Sequence, residues 1–241
     1  MATSFADFAE QINPKTLDEA RRAGFRQATR VHGSLLAAAE KRALVWMAER
    51  MPARVNSDHL TVIGFAAQIA TGICYALAAR DRRMLLAAIV CLAVNWFGDS
   101  LDGTLARVRQ QQRPRYGFYV DHMIDSIGAV AMMGGLALSG YMHPVIAIGL
   151  LIAFLLLSIQ SYLATYTLGE FHLSVWHFGP TELRVLLAVG NLAMFRWAWV
   201  IHGRYRLFDI GGAIGLAVML LMLVAVSLKN TVRLYREERV K

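Results

Sequence analysis

The 241-residue chain is 56% hydrophobic and only 17% charged, with a mean hydropathy of +0.43. An ordinary soluble domain is about 45–50% apolar, so the composition excludes that class and predicts a single membrane domain. In such a protein the net charge of +8 indicates basic cytoplasmic loops and anionic lipid as a partner, and it does not indicate nucleic acid binding.

Residues 33–51 form an amphipathic stretch ahead of the first long apolar segment. Lys41 and Glu49 lie on its polar side, and Leu44 falls outside the apolar face. We expect a helix in the membrane interface with Trp46 near the headgroups, and a helix packed on the protein is the alternative. The side chains within one third of the helical circumference are Leu35, Leu36, Ala39, Ala43, Trp46 and Met47.

Six apolar segments follow, and each is long enough, or nearly so, to cross a hydrocarbon core, which needs about 20 residues. The sequence therefore predicts an all-α membrane protein with six transmembrane helices and an N-terminal interfacial amphipathic helix. The segments lie near residues 59–79, 84–104, 117–140, 144–168, 180–201 and 208–229. The predicted domains are a polar N-terminal extension (1–32), the amphipathic helix and linker (33–56), a six-helix membrane domain (57–229) and a basic tail (230–241).

Lysine and arginine are distributed unevenly between the two sides of this arrangement. With the N-terminus inside, 18 of them lie in the inner segments and 5 in the outer loops. Positive charge is retained on the cytoplasmic side of membrane proteins. We therefore expect an integral protein of a bacterial inner membrane, with both termini and the acidic motif described next in the cytoplasm.

Two acidic pairs stand at the ends of adjacent apolar segments. Asp99 and Asp102 end the second segment, whereas Asp121 and Asp125 open the third. Spacings of three and four residues place each pair on one helix face. A carboxylate inside a membrane segment costs about 2.5–3.5 kcal/mol on insertion scales and by default marks function. Four facing acids would repel strongly without cations; oxygen-only ligation suits Mg²⁺ or Mn²⁺, and a phosphate ester is the natural substrate.

Small and basic residues accompany the acids. Gly103, Ala106 and Gly117 would let a nucleotide lie against the backbone, and helix packing is the alternative role. Arg107 fits either a phosphate contact or a pair with a motif acid. The acids alone would also permit structural ion pairs with nearby arginines, or a divalent-cation transporter. Their position at one membrane face, away from the midplane, argues against a transporter.

The acids and their neighbours fit one written pattern, D-x2-D-G-x2-A-R, nine residues, then G-x3-D-x3-D. This pattern resembles the signature of the CDP-alcohol phosphotransferase family, membrane enzymes of phospholipid synthesis. The resemblance implies a metal-dependent transferase that moves a substituted phosphate from a CDP-linked donor to an alcohol acceptor and releases CMP. It implies that Asp99, Asp102 and Asp121 bind one or two Mg²⁺ or Mn²⁺ ions. The resemblance also implies that Asp125 is the general base and that it contacts the metal as well.

Two further stretches are similar to family features. Residues 55–64 resemble a P-N-x-x-T segment near the cytidine, with Val55 in place of the proline. The resemblance implies nucleotide contacts for Asn56 and Thr61, and a helix N-cap is the alternative for Asn56. Residues 179–184 are similar to the Gly-Pro-Thr-Glu stretch of choline and ethanolamine phosphotransferases. The expected acceptor-binding residues are Arg113, Arg115, Thr181, Glu182 and Arg184, with Thr181 also a candidate helix cap.

The substrates are narrowed to two alternatives. The favoured donor is CDP-diacylglycerol, with a small polar alcohol or its phosphate as the acceptor. The stretch at 179–184 keeps a second alternative open, in which a CDP-amino-alcohol or CDP-polyol donates to a lipid hydroxyl. Membrane lipid is a partner in both, and a homodimer is left open.

Overall fold

The computed structural model describes residues 37–168, 180–197, 199–200 and 205–239. Within these ranges the chain is helical apart from one pair of two-residue antiparallel strands, so the predicted all-helical class is confirmed. The predicted extension over 1–32 lies outside the described residues. The elements are α1 Ala37–Arg50, α2 Ser57–Ala78, α3 Met84–Val108, α4 Pro114–Leu138, α5 Pro144–Leu168, α6 Pro180–Arg196, β1 Trp199–Val200, β2 Tyr205–Arg206 and α7 Leu207–Glu237.

Local sequence sets the starts of these helices. Asn56 caps α2, because its side-chain oxygen accepts a hydrogen bond from the His59 amide at 2.9 Å and its own amide donates to His59 Nδ1. Such a capping box satisfies amides that the first turn leaves unpaired. The N-cap alternative for Asn56 is therefore confirmed. Helices α4, α5 and α6 each begin at a proline, whose fixed φ suits the first helical position.

In the part of the chain that the structure describes, four helices (α2, α3, α5 and α7) are long and apolar enough to cross a membrane. Helix α4 has 25 residues, but two motif acids lower its apolar character. Helix α6 has 17 residues, or about 26 Å at 1.5 Å per residue, which is shorter than a core of about 30 Å. The predicted segment 180–201 was too long, since the helix ends at Arg196 and the chain then enters the strand pair. The count of six crossings stays a prediction.

Helix α2 is central to the packing around the motif. It contacts both α3 and α4, while α1 and α6 pack on α3, and α5 packs between α4 and α7. Many large apolar side chains on α5 and α7 face outward. A large exposed apolar surface is unfavourable in water, so these faces indicate an integral membrane protein. They include Val145, Ile148, Ile152, Leu163, Ile214, Val218, Leu221 and Val224.

Two apolar clusters lie at opposite ends of the α2–α3 pair. The first joins the end of α2 and the start of α3 to α4, α5, α6 and α7. The second joins the start of α2 and the end of α3 to α1, next to the acidic motif. The second cluster therefore fixes the helix ends that carry the candidate site. Its buried members are Leu44, Ala48, Leu60, Leu101 and Leu105.

Helix α1 packs on the protein through a different face from the one that the sequence pattern favoured. Leu44 and Ala48 are 8% and 2% exposed, although Leu44 was expected outside the apolar face. Trp46, expected on that face, is 56% exposed. The packed-helix alternative therefore describes one side of α1, because Leu44 and Ala48 belong to one buried cluster with apolar residues of α2 and α3. Placement of the outward side in the membrane interface stays a prediction.

Glycines let α2 and α3 approach each other closely at the motif end. A Cβ added to Gly98 would lie 2.6 Å from the Cα and amide nitrogen of Gly64 and from the carbonyl oxygen of Leu60. All three are backbone atoms, which cannot rotate away as a side-chain end can. Small residues at such contacts are typical of helix pairs in membranes. The close approach brings polar side chains of α2 within reach of the acids on α3.

We expect Gly98→Ala to force α2 and α3 apart and to destabilise the protein by about 1–3 kcal/mol, the usual cost of overpacking. Gly134→Ala on α4 is the matched control, because its added Cβ would meet nothing within 4 Å. Alanine is also the better helix former there by about 1 kcal/mol. Thermal unfolding of both variants in detergent checks the expectation. Equal melting temperatures would contradict it.

Candidate active site

Three of the four motif acids come together between α3 and α4. One carboxylate oxygen from each of Asp99, Asp121 and Asp125 lies within 4.8 Å of the corresponding oxygens of the other two. All three residues are half-buried. Both helices pack on α2, which sets their acidic faces side by side. The arrangement concentrates negative charge at one end of the bundle.

The donor set of this group fits a divalent cation. Two oxygens bound to one Mg²⁺ at 2.0–2.1 Å lie at most about 4.2 Å apart. The separations of up to 4.8 Å are only slightly wider, so side-chain rotation would bring the three oxygens onto one ion. An all-oxygen set suits Mg²⁺ or Mn²⁺ rather than a soft metal. The three residues are therefore suitable ligands for the predicted ion.

Asp102, the fourth motif acid, is engaged with helix α2. Its Oδ2 accepts a hydrogen bond from Thr61 Oγ1 at 2.6 Å, and its Oδ1 accepts one from the Gly103 amide. Its backbone carbonyl accepts a further bond from Ser57 Oγ at 3.0 Å. These contacts place Thr61, a predicted nucleotide contact, directly beside a predicted metal ligand. They also leave Asp102 outside the group of three, and its role as a ligand stays a prediction.

Asp99 is joined to helix α6 by an ion pair. Arg184 Nη2 lies 2.7 Å from Asp99 Oδ2, and Arg184 Nε donates to Asn95 Oδ1 at 2.8 Å. Asn95 Nδ2 in turn donates to the carbonyl of Gly64 on α2 at 3.0 Å. The guanidinium thus balances one of the clustered acids. It also brings a predicted acceptor residue next to a predicted metal ligand.

The family model described as CDP-alcohol phosphatidyltransferase matches residues 55–228 of this chain. The chain belongs to the CDP-alcohol phosphatidyltransferase family. This confirms the resemblance carried by the motif, and it implies transfer of a substituted phosphate from a CDP-alcohol. The matched range contains every motif residue and excludes α1. Comparison with curated proteins gives no significant match.

The small residues that the family motif shares lie along α3 and α4. Gly103 and Ala106 are half-buried on α3, and an added Cβ on Gly103 would meet Arg107 Nη1 at 3.5 Å, an ordinary contact. Gly117 is exposed, and its added Cβ would meet nothing within 4 Å. Packing between helices therefore does not explain Gly117. Arg107 donates from Nη2 to Thr104 Oγ1 at 2.9 Å on its own helix.

The basic residues between α3 and α4 contact the start of α2. Arg113 forms an ion pair with Asp58 and lies over the ring of Tyr116, with its Cζ 4.2 Å from the centroid. Arg109 donates to backbone carbonyls of the linker before α2. Arg115 is exposed in the first turn of α4. Arg109 and Arg113 therefore contact the start of α2 and its linker, whereas an arginine from α6 contacts the acids.

The first turn of α6 carries the remaining predicted acceptor residues. Helix α6 begins at Pro180, so Thr181 lies inside the helix, and its predicted role as a cap was wrong. Its hydroxyl instead donates to Glu40 Oε1 on α1 at 2.8 Å. Glu182 is half-buried beside it.

Sequence reasoning missed Asn95, Trp96 and Glu40. Asn95 is a polar residue within an apolar segment, four residues before Asp99 and on its face, and this spacing was a usable signal. Trp96 Nε1 donates to Glu40 Oε1 at 2.8 Å. Glu40 lies one turn before Leu44, which is buried in the protein. Correct prediction of the buried face of α1 would therefore have shown that Glu40 also faces the protein.

Proposed function

We propose that the protein transfers a phosphatidyl group from CDP-diacylglycerol to a small polar alcohol or its phosphate, and releases CMP. The observation that carries this proposal is the grouping of the Asp99, Asp121 and Asp125 carboxylates in a chain of this family. The outward apolar faces of α5 and α7 support a lipid-linked substrate, because such a substrate can reach the site from the bilayer. We assign the catalytic domain to residues 57–229.

The three carboxylates are proposed to hold the cation. A bound divalent cation supplies positive charge to the pyrophosphate oxygens and to CMP as the leaving group. The protein itself positions the substrates, which provides most of the rate in phosphoryl transfer. The site would hold one or two ions. Asp102 would become a further ligand by exchanging its hydrogen bond with Thr61 for a bond to an ion.

Asp125 is the proposed general base. Its carboxylate accepts the proton of the acceptor hydroxyl. The hydroxyl oxygen forms a bond to the phosphorus that carries diacylglycerol, while the bond from that phosphorus to the bridging oxygen breaks. The electron pair leaves with CMP, and the proton remains on Asp125. The product is a phosphodiester lipid.

The proposed nucleotide surface runs along the small residues of α3 and α4. The open space at Gly117 supports it, because no neighbouring helix uses that space. Asn56 would contact the nucleotide through its side-chain NH₂ group, which the capping hydrogen bonds do not use. The full proposed set is Asn56, Thr61, Gly103, Ala106, Arg107 and Gly117.

Arg184 is the leading candidate for acceptor recognition. Its side chain is only 14% exposed and lies beside Asp99, so a phosphate brought to this point would meet a positioned guanidinium. Arginine binds phosphate through short, charge-assisted hydrogen bonds. We assign Arg113, Arg115, Thr181 and Glu182 to the surroundings of the same acceptor. The excess of basic residues at this end of the bundle supports a cytoplasmic site, where nucleotides are found.

The decisive test uses purified protein in nanodiscs with CDP-diacylglycerol labelled in its acyl chains. Glycerol, glycerol 3-phosphate, serine and inositol are supplied separately with Mg²⁺ or Mn²⁺. We expect one acceptor to yield labelled lipid and CMP in equal amounts. Activity instead with CDP-choline or CDP-ethanolamine and diacylglycerol would establish the alternative donor. Mn²⁺ flux into proteoliposomes without CMP release would indicate a transporter.

A further inference from the structure

We propose that Glu40 is a positioning residue that holds the first turn of α6, and with it Arg184, at the acidic site. This inference rests on the proposed function of that site. Glu40 lies on α1, outside the range 55–228 that the family match covers. Its role follows from the contacts that it makes with α3 and α6.

Glu40 joins three helices through one carboxylate oxygen. Oε1 accepts a hydrogen bond from Trp96 Nε1 on α3 and another from Thr181 Oγ1 on α6, both at 2.8 Å. The residue is half-buried. Hydrogen bonds to an ionised acceptor are roughly twice as strong as neutral ones. Glu40 is therefore suited to hold α6 against α3.

A second polar contact between the same parts of α3 and α6 lies one turn further along α6. Arg184 follows Thr181 by three residues, and it donates to Asn95 and Asp99 on α3. Asp99 likewise follows Trp96 by three residues. Residues at this spacing share a helix face. The position of the first turn of α6 consequently sets where the guanidinium lies relative to Asp99.

The Glu40 contact would matter most when substrate is bound. A phosphate that engages Arg184 would replace its bonds to Asp99 and Asn95, whereas the bond from Thr181 to Glu40 does not involve that side chain. The far half of α6 is anchored separately, because Asn191 donates to Tyr75 at 3.0 Å and both are fully buried. Loss of Glu40 would therefore release the first turn while the far half stays fixed.

The first test compares Glu40→Ala, Glu40→Gln and the matched control Glu49→Ala, an exposed acid on the same helix. The acceptor probe is glycerol 3-phosphate, with CDP-diacylglycerol as donor. We expect Glu40→Ala to raise the KM for the acceptor by about 10- to 100-fold, the range for losing a hydrogen bond to a charged group, while the KM for the donor stays unchanged. Glu40→Gln should raise this KM by less than about 10-fold, since its amide oxygen still accepts both bonds, as neutral ones of about half the strength.

The second test measures helix position without activity. Spin labels are placed at Val108 on α3 and Leu183 on α6, both exposed, after Cys74 and Cys91 are replaced by Ala. Pulsed EPR should give one narrow distance distribution in the parent protein. We expect Glu40→Ala to broaden or shift it and Glu40→Gln to leave it unchanged.

Each outcome decides the proposal. Equal defects in Glu40→Gln and Glu40→Ala would overturn it, because charge rather than hydrogen bonding would then be the cause. An unchanged EPR distribution, or an equal loss for donor and acceptor with a lowered melting temperature, would also overturn it. Absence of CMP release from the wild type with all four acceptors of the decisive test would instead refute the proposed function, and the EPR comparison would still test the role of Glu40.

Discussion

Asp125→Asn is expected to lower the rate of CMP release by about 10²–10⁴-fold, the usual contribution of general-base catalysis. Asparagine keeps the size of the side chain and a hydrogen-bonding oxygen, but it cannot take up the proton. Asp125 lies one turn beyond Asp121 in α4 and on the same helix face. Asp125 can therefore share the cation with Asp121 through one carboxylate oxygen and meet the incoming hydroxyl with the other.

The measurement is CMP release at saturating donor, acceptor and Mn²⁺, alongside direct binding of CDP-diacylglycerol. Asp125 belongs to the group of three carboxylates, so its replacement would weaken Mn²⁺ binding. Saturating Mn²⁺ compensates for this loss of affinity. Asp209→Asn is the control, since Asp209 accepts a bond from the His143 amide away from the site and asparagine preserves that bond. Near-normal turnover in Asp125→Asn would remove the base assignment and make Glu182 the next candidate.

Removal of divalent cations should abolish CMP release, and Mg²⁺ or Mn²⁺ should restore it. The clustered carboxylates provide only oxygen donors, which suit these ions. Asp121→Asn should weaken Mn²⁺ binding and activity together, because a neutral amide is a poorer ligand and the site loses one negative charge. Full activity in a metal-free assay would refute the metal assignment.

A Mn²⁺ titration followed by EPR measures this affinity without turnover. Asp81→Asn is the matched control, as Asp81 lies at the opposite end of α2 and α3, where its Oδ1 accepts a hydrogen bond from the Arg83 amide. Asp102→Asn distinguishes two roles for the fourth acid. Loss of Mn²⁺ affinity equal to that of Asp121→Asn would make Asp102 a ligand. A smaller loss would assign it to the contact with Thr61. Unchanged affinity in Asp121→Asn would contradict the site.

Local spacing made the acidic motif and the helix positions predictable. The pairs at Asp99 and Asp121 are set by helical periodicity, and the apolar segments by composition over about 20 residues. The cap at Asn56 depends on neighbours within one turn. The end of α6 was less predictable, because apolar residues continue past Arg196 while the backbone pairs as strands.

By itself, then, the sequence determined the family, the helical class and the acids that define the site. Only the tertiary structure decided which acids group together, that Arg184 reaches Asp99, and that Glu40 joins α1 to α6. These contacts link residues 22 to 141 positions apart. They depend on how the helices approach one another, through close contacts such as that of Gly64 with Gly98. The spacing of residues along one helix does not determine that approach.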